Sequence, residues 1–262
     1  MEKEDPPKNM ELGTWIPFVA LILLLLGAFG IPWIVGNTSA LDSMAAATAP
    51  LVAGLVGVYG LTHFAPRGLV REDRFHVMFI FLSVGLFVML LAELAGIAIE
   101  SSGVGASLVF TVGFVQILGM ISFSIGVGGY FNAVNKTVGY SRPQITWSVV
   151  VAFPLAFVVI LVALSYDPLQ SVSFAELVTS GIVSIGFGVT ALCVSIIAVV
   201  FRRGRLLMPA IFILLGLLLL FARGVVWAVY AVTPVLTSSR ILGAAAYAMI
   251  GGAITAARVN ES

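Results

Sequence analysis

Hydrophobic residues lie along this chain in long runs that short polar stretches separate. The runs lack the alternation of apolar and polar positions that transmembrane β-strands require. Each run is long enough for the roughly 20 helical residues that cross a bilayer core about 30 Å thick. We therefore predict an all-α integral membrane protein with eight transmembrane helices, numbered spans one to eight. The predicted spans are 15–36, 44–64, 75–99, 104–131, 145–166, 174–201, 206–231 and 237–257.

Composition excludes a soluble domain. Hydrophobic residues make up 60% of the chain and charged residues 10%, with a mean hydropathy of +1.14. In soluble globular proteins about 25% of residues are charged. The chain is therefore expected in a lipid bilayer, as a multi-pass protein of the cell membrane.

Basic residues are distributed unevenly between the two sides of the predicted spans. Of the 13 lysines and arginines, all but Arg223 and Arg240 fall on one side. Loops rich in lysine and arginine remain cytoplasmic. This distribution predicts that both termini are cytoplasmic and that the number of spans is even. The residues on that side are Lys3, Lys8, Arg67, Arg71, Arg74, Lys136, Arg142, Arg202, Arg203, Arg205 and Arg258.

Two stretches of the chain resemble one another. The sequence RFHVMFIFLSVG (74–85) matches RLLMPAIFILLG (205–216) at an offset of 131, with Arg, Ile, Phe and Gly coinciding. The dipeptide Thr-Trp at 14–15 recurs at 146–147, an offset of 132. These matches favour an internal duplication of about half the chain.

The duplication predicts two halves of four spans. Because each half enters from the cytoplasm, the halves share one orientation and are related by an axis along the membrane normal. Functional sites of such proteins often lie at the interface between repeats. The predicted organisation is a disordered cytoplasmic tail (1–14), a first half (15–131), a connecting loop (132–144), a second half (145–257) and a short tail (258–262).

Small residues are concentrated in the even-numbered spans. Span eight is mostly Gly, Ala and Thr, whereas span seven contains the bulky run Leu217–Leu220. Small residues allow helix backbones to approach closely in a membrane. We therefore expect spans two, four, six and eight to form a tight core through small-residue pairs, with the odd spans outside. The pairs are Ala53/Gly57, Ser122/Gly126, Ser184/Gly188 and Ala244/Ala248/Gly252.

Glu93 and Arg223 are the charged residues predicted inside spans. At 1.5 Å per residue, each lies about 26 Å along its helix, so both reach the same depth toward the outer side. A charge at this depth costs several kcal/mol unless it is paired or hydrated. This predicts an intramembrane charge pair between spans three and seven. In the alternative, Arg223 extends to the outer headgroups and Glu93 meets water.

Uncharged polar residues also lie deep in the even spans. Gln116 falls near the middle of span four, while Tyr59 and Tyr247 belong to spans two and eight. The simpler explanation is hydrogen bonding between helices, in which each bond contributes about 0.6 kcal/mol on average. The alternative is the lining of a polar pathway, with Gln116 as its first candidate.

The arginine-rich turn after span six is a candidate for lipid contact. Arg202, Arg203 and Arg205 are expected near anionic headgroups on the cytoplasmic side. Membrane topology alone explains the same residues. Besides the bilayer, the expected partners are a second membrane protein or further copies of this chain, and no nucleic acid.

The sequence carries none of the residue patterns of a membrane enzyme or metalloprotein. His63 and His76 both lie beside the loop after span two, and no span contains the lysine that a retinal Schiff base requires. Neither GxSxG, HExxH nor a phosphate-binding loop is present. We therefore expect no catalytic residue, metal or cofactor.

Two functions from different classes remain. The first is a small permease or channel for an ion or small solute, with its path along the repeat interface. The second is a non-catalytic membrane subunit or sensor that anchors a partner protein. A polar cavity that reaches Gln116 or joins Glu93 to Arg223 favours transport, whereas a dry centre favours the partner subunit.

Overall fold

The computed structural model describes residues 12–71, 73–102, 109–139, 174–229 and 233–261, and these segments are helical apart from short turns. In chain order the helices are α1 (Leu12–Leu25), a π-helical segment (Leu26–Gly30), α2 (Ile31–Val35), α3 (Thr38–Arg71), α4 (Arg74–Ser102), α5 (Val109–Thr137), α6 (Phe174–Val200), α7 (Leu207–Val229) and α8 (Thr233–Glu261). Within these segments, seven helical stretches are long and apolar enough to cross a membrane. The protein is therefore a polytopic membrane protein.

Spans one to four and six to eight correspond to these seven stretches, with α1 and α2 together forming span one. Span five (145–166) lies outside the described residues, as do tail residues 1–11 and loop residues 140–144. α5 continues to Thr137, so its last turns include the first residues of the predicted connecting loop (132–144). Gly139 follows the helix in the left-handed conformation, with φ of +72°.

The connection between α2 and α3 is a tight turn built from two residues. Gly36 ends α2 with a φ of 71°, a conformation that glycine adopts without steric cost. The Asn37 side chain then caps α3, since its Oδ1 accepts the backbone N–H of Ala40 at 3.0 Å. The chain therefore reverses direction, and the Asn37 side chain satisfies one N–H group in the first turn of α3.

Helices α3 to α8 form a closed ring in chain order, because each contacts the next and α8 returns to α3. α1 packs outside the ring against α8, where Phe18 lies beside Gly252 and Leu21 beside Gly251. α1 begins and α8 ends at the same end of the bundle, which we call the terminal end.

Two of the six contacts around the ring are between parallel helices. In the α5–α6 contact, Gly113 faces Thr179, and the hydroxyls of Ser124 and Thr190 are hydrogen-bonded at 2.8 Å. Both pairs are separated by 66 residues. A constant separation along a contact means that the two helices run in the same direction.

The residue separation is also constant along the α3–α8 contact. Thr237 donates a hydrogen bond to Asp42, and Gly251 faces Val56, with a separation of 195 residues in both pairs. The two helices are therefore parallel, and this contact closes the ring.

The expected separation of even and odd spans is wrong for spans three and seven. Both belong to the ring as α4 and α7, and their large aliphatic side chains fill its interior. The small-residue pairs of the even spans are buried as expected, except Gly188, which is half-buried. Lipid tails are as apolar as leucine, so side-chain size does not by itself drive a helix outward. The buried residues concerned are Leu82 and Leu86 of α4, Leu217 and Leu220 of α7, and Ala244, Ala248 and Gly252 of α8.

Gly126 sets the distance between α4 and α5. A Cβ at this position would lie 2.9 Å from the backbone oxygen of Met78 and 2.8 Å from Cβ of Phe81. We expect Gly126→Ala to lower the free energy of unfolding by about 1–3 kcal/mol, because the helices must separate. Titration with SDS in mixed micelles measures this quantity.

Gly128, on the same helix, provides the control. A Cβ there meets nothing within 4 Å. Gly128→Ala should leave the free energy of unfolding unchanged or raise it by up to about 1 kcal/mol, as expected from helix propensity. Equal effects of the two substitutions would contradict close packing at Gly126.

Candidate functional site

The structure brings Glu93 of α4 and Arg223 of α7 into contact near the centre of the ring. The two side chains are 5% and 6% exposed, and they are the buried charged side chains among the described residues. Arg223 Nη1 donates a hydrogen bond to Oε1 of Glu93. Because α4 and α7 are not neighbours in the ring, the contact is made by side chains that reach across the interior.

α8 supplies the remaining partners of this pair. The Tyr247 hydroxyl accepts from Arg223 Nη1 at 2.6 Å and donates to Oε1 of Glu93 at 2.8 Å. Arg223 Nε donates to Oγ of Ser239 at 3.3 Å. We call Glu93, Arg223, Ser239 and Tyr247 the central polar cluster. Helices α4, α7 and α8 meet in it.

The spacing of residues along α8 explains how it fits around Arg223. Ser239, Gly243 and Tyr247 are four residues apart and therefore share one face of the helix. A Cβ at Gly243 would lie 2.5 Å from Arg223 Nη1, so the absence of a side chain provides the space for the guanidinium. One turn on either side, a hydroxyl contacts the same group.

Hydrogen bonding makes the burial of two charges tolerable. A buried ion pair repays its desolvation only when its geometry is good and additional hydrogen bonds satisfy its remaining atoms. Here Tyr247 bonds both members, and the arginine also bonds Ser239. The paired carboxylate and guanidinium leave the cluster with no net charge.

A small cavity adjoins the cluster. Its volume is about 10 Å³, which is near the lower limit for one water molecule. Gln116 and Arg223 are its polar residues, and the rest of its lining is apolar. The lining residues are Met89, Gln116, Val183, Phe187, Leu220, Arg223 and Gly224.

Two of the three residues predicted to line a pathway, Gln116 and Tyr247, lie at this centre. Tyr59 does not, since its hydroxyl accepts from Arg258 Nη1 at 3.3 Å near the terminal end. Arg202, Arg203 and Arg205 are exposed in the turn between α6 and α7. Their contact with lipid headgroups stays a prediction.

Sequence reasoning missed Ser239 and Gly243. The sequence pattern that includes them is their four-residue spacing with Tyr247. This spacing forms a partly polar stripe on a helix whose other residues are mostly small and apolar. The stripe becomes informative only once the partner charge, Arg223, is known to face it.

Comparisons with protein-family models, curated proteins and solved structures return no match to this chain. The candidate site therefore rests on its own geometry.

Removing one member of the charge pair should destabilise the protein far more than removing both. We expect Arg223→Met to lower the free energy of unfolding by about 3–5 kcal/mol, because Glu93 is left buried without its counter-charge. In the double variant Glu93→Leu/Arg223→Met, most of this loss should be recovered. SDS titration of the single and double variants provides the double-mutant cycle.

Arg203→Met is the matched control, because Arg203 is exposed. Its effect should stay within about 0.5 kcal/mol. If the double variant were as unstable as the sum of the single variants, Glu93 and Arg223 would not be energetically coupled.

Proposed function

We propose that this chain is a non-enzymatic permease or channel of the cell membrane for an ion or small solute. Its path follows the interface between two related halves of four spans each. The central polar cluster closes this path in the conformation described above, and Gln116 lines it next to the cluster. Both termini are cytoplasmic in this proposal.

The parallel contact between α5 and α6 supports the eighth helix. After α5 the chain must return to the end of the bundle at which α6 begins, because the two helices run in the same direction. One additional crossing satisfies this requirement, in agreement with the span predicted at 145–166. The same requirement supports an even number of spans.

The ring contacts also support the duplication. An offset of 131 relates spans two, three and four to spans six, seven and eight, so the α5–α6 contact has the α3–α8 contact as its image. The α5–α6 contact joins residues 66 apart. Its image, the α3–α8 contact, should then join residues about 196 apart, because this separation is twice the offset of 131 minus 66. The observed separation is 195. Both contacts are parallel, as the symmetry requires.

The position of the cluster on the interface between the halves carries the functional proposal. A contact between residues separated by the duplication offset lies on the axis that relates the halves. Glu93 and Arg223 are 130 residues apart, within one residue of that offset. Gln116 and Tyr247 are 131 apart and therefore occupy equivalent positions beside the axis. Repeat interfaces are where such membrane proteins place their substrate sites.

The chemistry of the cluster suits a closed gate. While Glu93 and Arg223 are paired, a charged solute has no free partner in the centre, and the adjoining cavity is too small for most solutes. Separation of the two halves would open a space between them. A carboxylate, a guanidinium, a phenol and an amide would line this space. These groups replace part of the hydration that a polar solute loses on entering the bilayer.

The second candidate, a non-catalytic subunit or sensor that anchors a partner protein, is favoured by one observation. The cavity that Gln116 lines has a volume of only about 10 Å³. A central pair that merely fixes the arrangement of the helices needs no path. The experiments below separate the two candidates.

Water access to Gln116 should distinguish a path from a dry core. In a background with the sole cysteine removed by Cys193→Ala, Gln116→Cys should react with a charged methanethiosulfonate reagent in proteoliposomes. We expect labelling at least about tenfold faster than at Leu118→Cys, because thiolate formation is disfavoured in an apolar environment. Leu118 is two residues away on the same helix and 45% exposed on the outside. Mass spectrometry measures the labelling.

Opening of the gate is tested in the same assay. Glu93→Gln retains a hydrogen-bonding side chain but removes its charge, so it should accelerate labelling of Gln116→Cys and leave Leu118→Cys unchanged. If Gln116→Cys is labelled neither with Glu93 nor with Glu93→Gln, a water-accessible path is excluded. The anchoring subunit is then the remaining candidate.

Permeation itself is measurable with a panel of small solutes. Proteoliposomes are tested for passage of K⁺, Cl⁻, glycerol and urea by ion-sensitive dyes and by light scattering. At least one rate should exceed that of protein-free vesicles and rise in Glu93→Gln, because the central pair is weakened. A labelled position 116 with no flux would restrict the protein to solutes outside this set. Co-purification of a stoichiometric protein partner, with no labelling and no flux, would support the second candidate.

A further inference from the structure

An apolar groove lies on the outside of the ring, where α1 packs against α3 and α8. Its volume is about 300 Å³. Val56, Gly251 and Thr255 are buried on its floor, whereas Ala20 and Leu55 on its rim are exposed. The groove is therefore open toward the surrounding bilayer. The other lining residues are Pro17, Phe18, Leu21, Leu24 and Tyr59.

The floor of the groove offers an apolar surface. Gly251 has no side chain, and a Cβ there would contact Val56 at 3.0 Å and Leu21 at 3.5 Å. The Thr255 hydroxyl donates to the backbone oxygen of Gly251 at 2.9 Å, so its proton is already used within α8. A hydrocarbon chain fits such a surface without burying an unsatisfied donor.

A positive charge stands at the end of the groove nearest the terminal end. Arg258 lies one turn beyond Thr255 on the same side of α8, and its Nη1 donates to the hydroxyl of Tyr59 at 3.3 Å. Arg258 is exposed, and its guanidinium is 6.0 Å from the centre of the Tyr59 ring. Tyr59 thus joins the apolar wall of the groove to the charged group at its end.

We propose that this groove binds one acyl chain of an anionic phospholipid, with the lipid phosphate held by Arg258. The α1 wall, from Pro17 to Leu24, extends about 10 Å along the membrane normal, which suits the upper part of an acyl chain. The guanidinium bonds Tyr59 through Nη1 and has further N–H groups for phosphate oxygens. An apolar slot and a cation at headgroup level together match a phospholipid.

The second large groove on the protein lacks this combination. It lies between α3 and α4, has a volume of about 520 Å³ and includes Ala47 in its lining. Its lining contains no charged or polar side chain: Ala46, Ala47, Pro50, Leu51, Gly54, Leu55, Leu90, Leu94 and Ile97. It therefore serves as an internal control for non-specific adsorption of lipid.

Native mass spectrometry of the delipidated protein in detergent tests the proposal. The probes are phosphatidylglycerol and phosphatidylcholine with identical acyl chains. The phosphatidylglycerol adduct should form at about fivefold lower lipid concentration, as expected for one arginine near an anionic lipid. Arg258→Gln should reduce this preference to about one, whereas Lys136→Gln, which removes an exposed charge at the end of α5, should preserve it.

Occupancy of the groove is tested separately from the charge. Ala20→Phe fills the groove from its exposed rim and should weaken the adducts of both lipids by about tenfold, because apolar contact is lost. Ala47→Phe, in the α3–α4 groove, should not. Glycerol 1-phosphate, which has the headgroup chemistry but no acyl chain, should give no adduct.

Three results would overturn the proposal. The first is equal loss of the preference in Lys136→Gln and Arg258→Gln, which indicates general charge attraction. The second is unchanged lipid binding in Ala20→Phe with an unchanged melting temperature. The third is binding of glycerol 1-phosphate as tight as that of phosphatidylglycerol. None of these outcomes depends on whether the protein transports a solute.

Discussion

A bilayer interior contains no water to solvate a charge, and this constraint governs the centre of the molecule. Glu93 and Arg223 lie on helices that do not touch around the ring, so their contact requires α4 and α7 to face one another across the interior. α8 must then present Ser239, Gly243 and Tyr247 on the side that faces the pair. The cluster thereby fixes the rotation of three helices about their own axes, which apolar contacts alone specify weakly.

Contacts around the ring determine which parts can move together. Neighbouring helices within each proposed half are antiparallel and closely packed, as Gly126 illustrates against α4. The halves meet at the two parallel contacts, where Ser124 bonds Thr190 and Thr237 bonds Asp42. The proposed path on the axis between the halves therefore lies between these two contacts, which have few polar bonds. Opening of the path requires changes chiefly at the two contacts.

Apolar runs were sufficient to predict the helices that the structure describes, because a bilayer demands continuous hydrogen-bonded helix. Counting residues along spans also located Glu93 and Arg223 at one depth. Depth does not give rotation, however, and Tyr59 was assigned to the centre although its side of α3 faces Arg258. The sequence does not distinguish Gly243 from the other small residues of α8, since its role depends on a guanidinium from another helix. Side-chain size likewise did not place α4 and α7, which belong to the ring.

The separation of 130 residues between the two charges has a consequence for biosynthesis. Helices enter the membrane in chain order, so Glu93 is inserted well before Arg223 exists to neutralise it. An acidic residue at the centre of an inserting helix costs about 2.5–3.5 kcal/mol. Until α7 is inserted, Glu93 lacks its counter-charge. Glu93 gains its counter-charge, Arg223, only when α7 is in place. In a truncated product that lacks α7, Glu93 remains without a counter-charge.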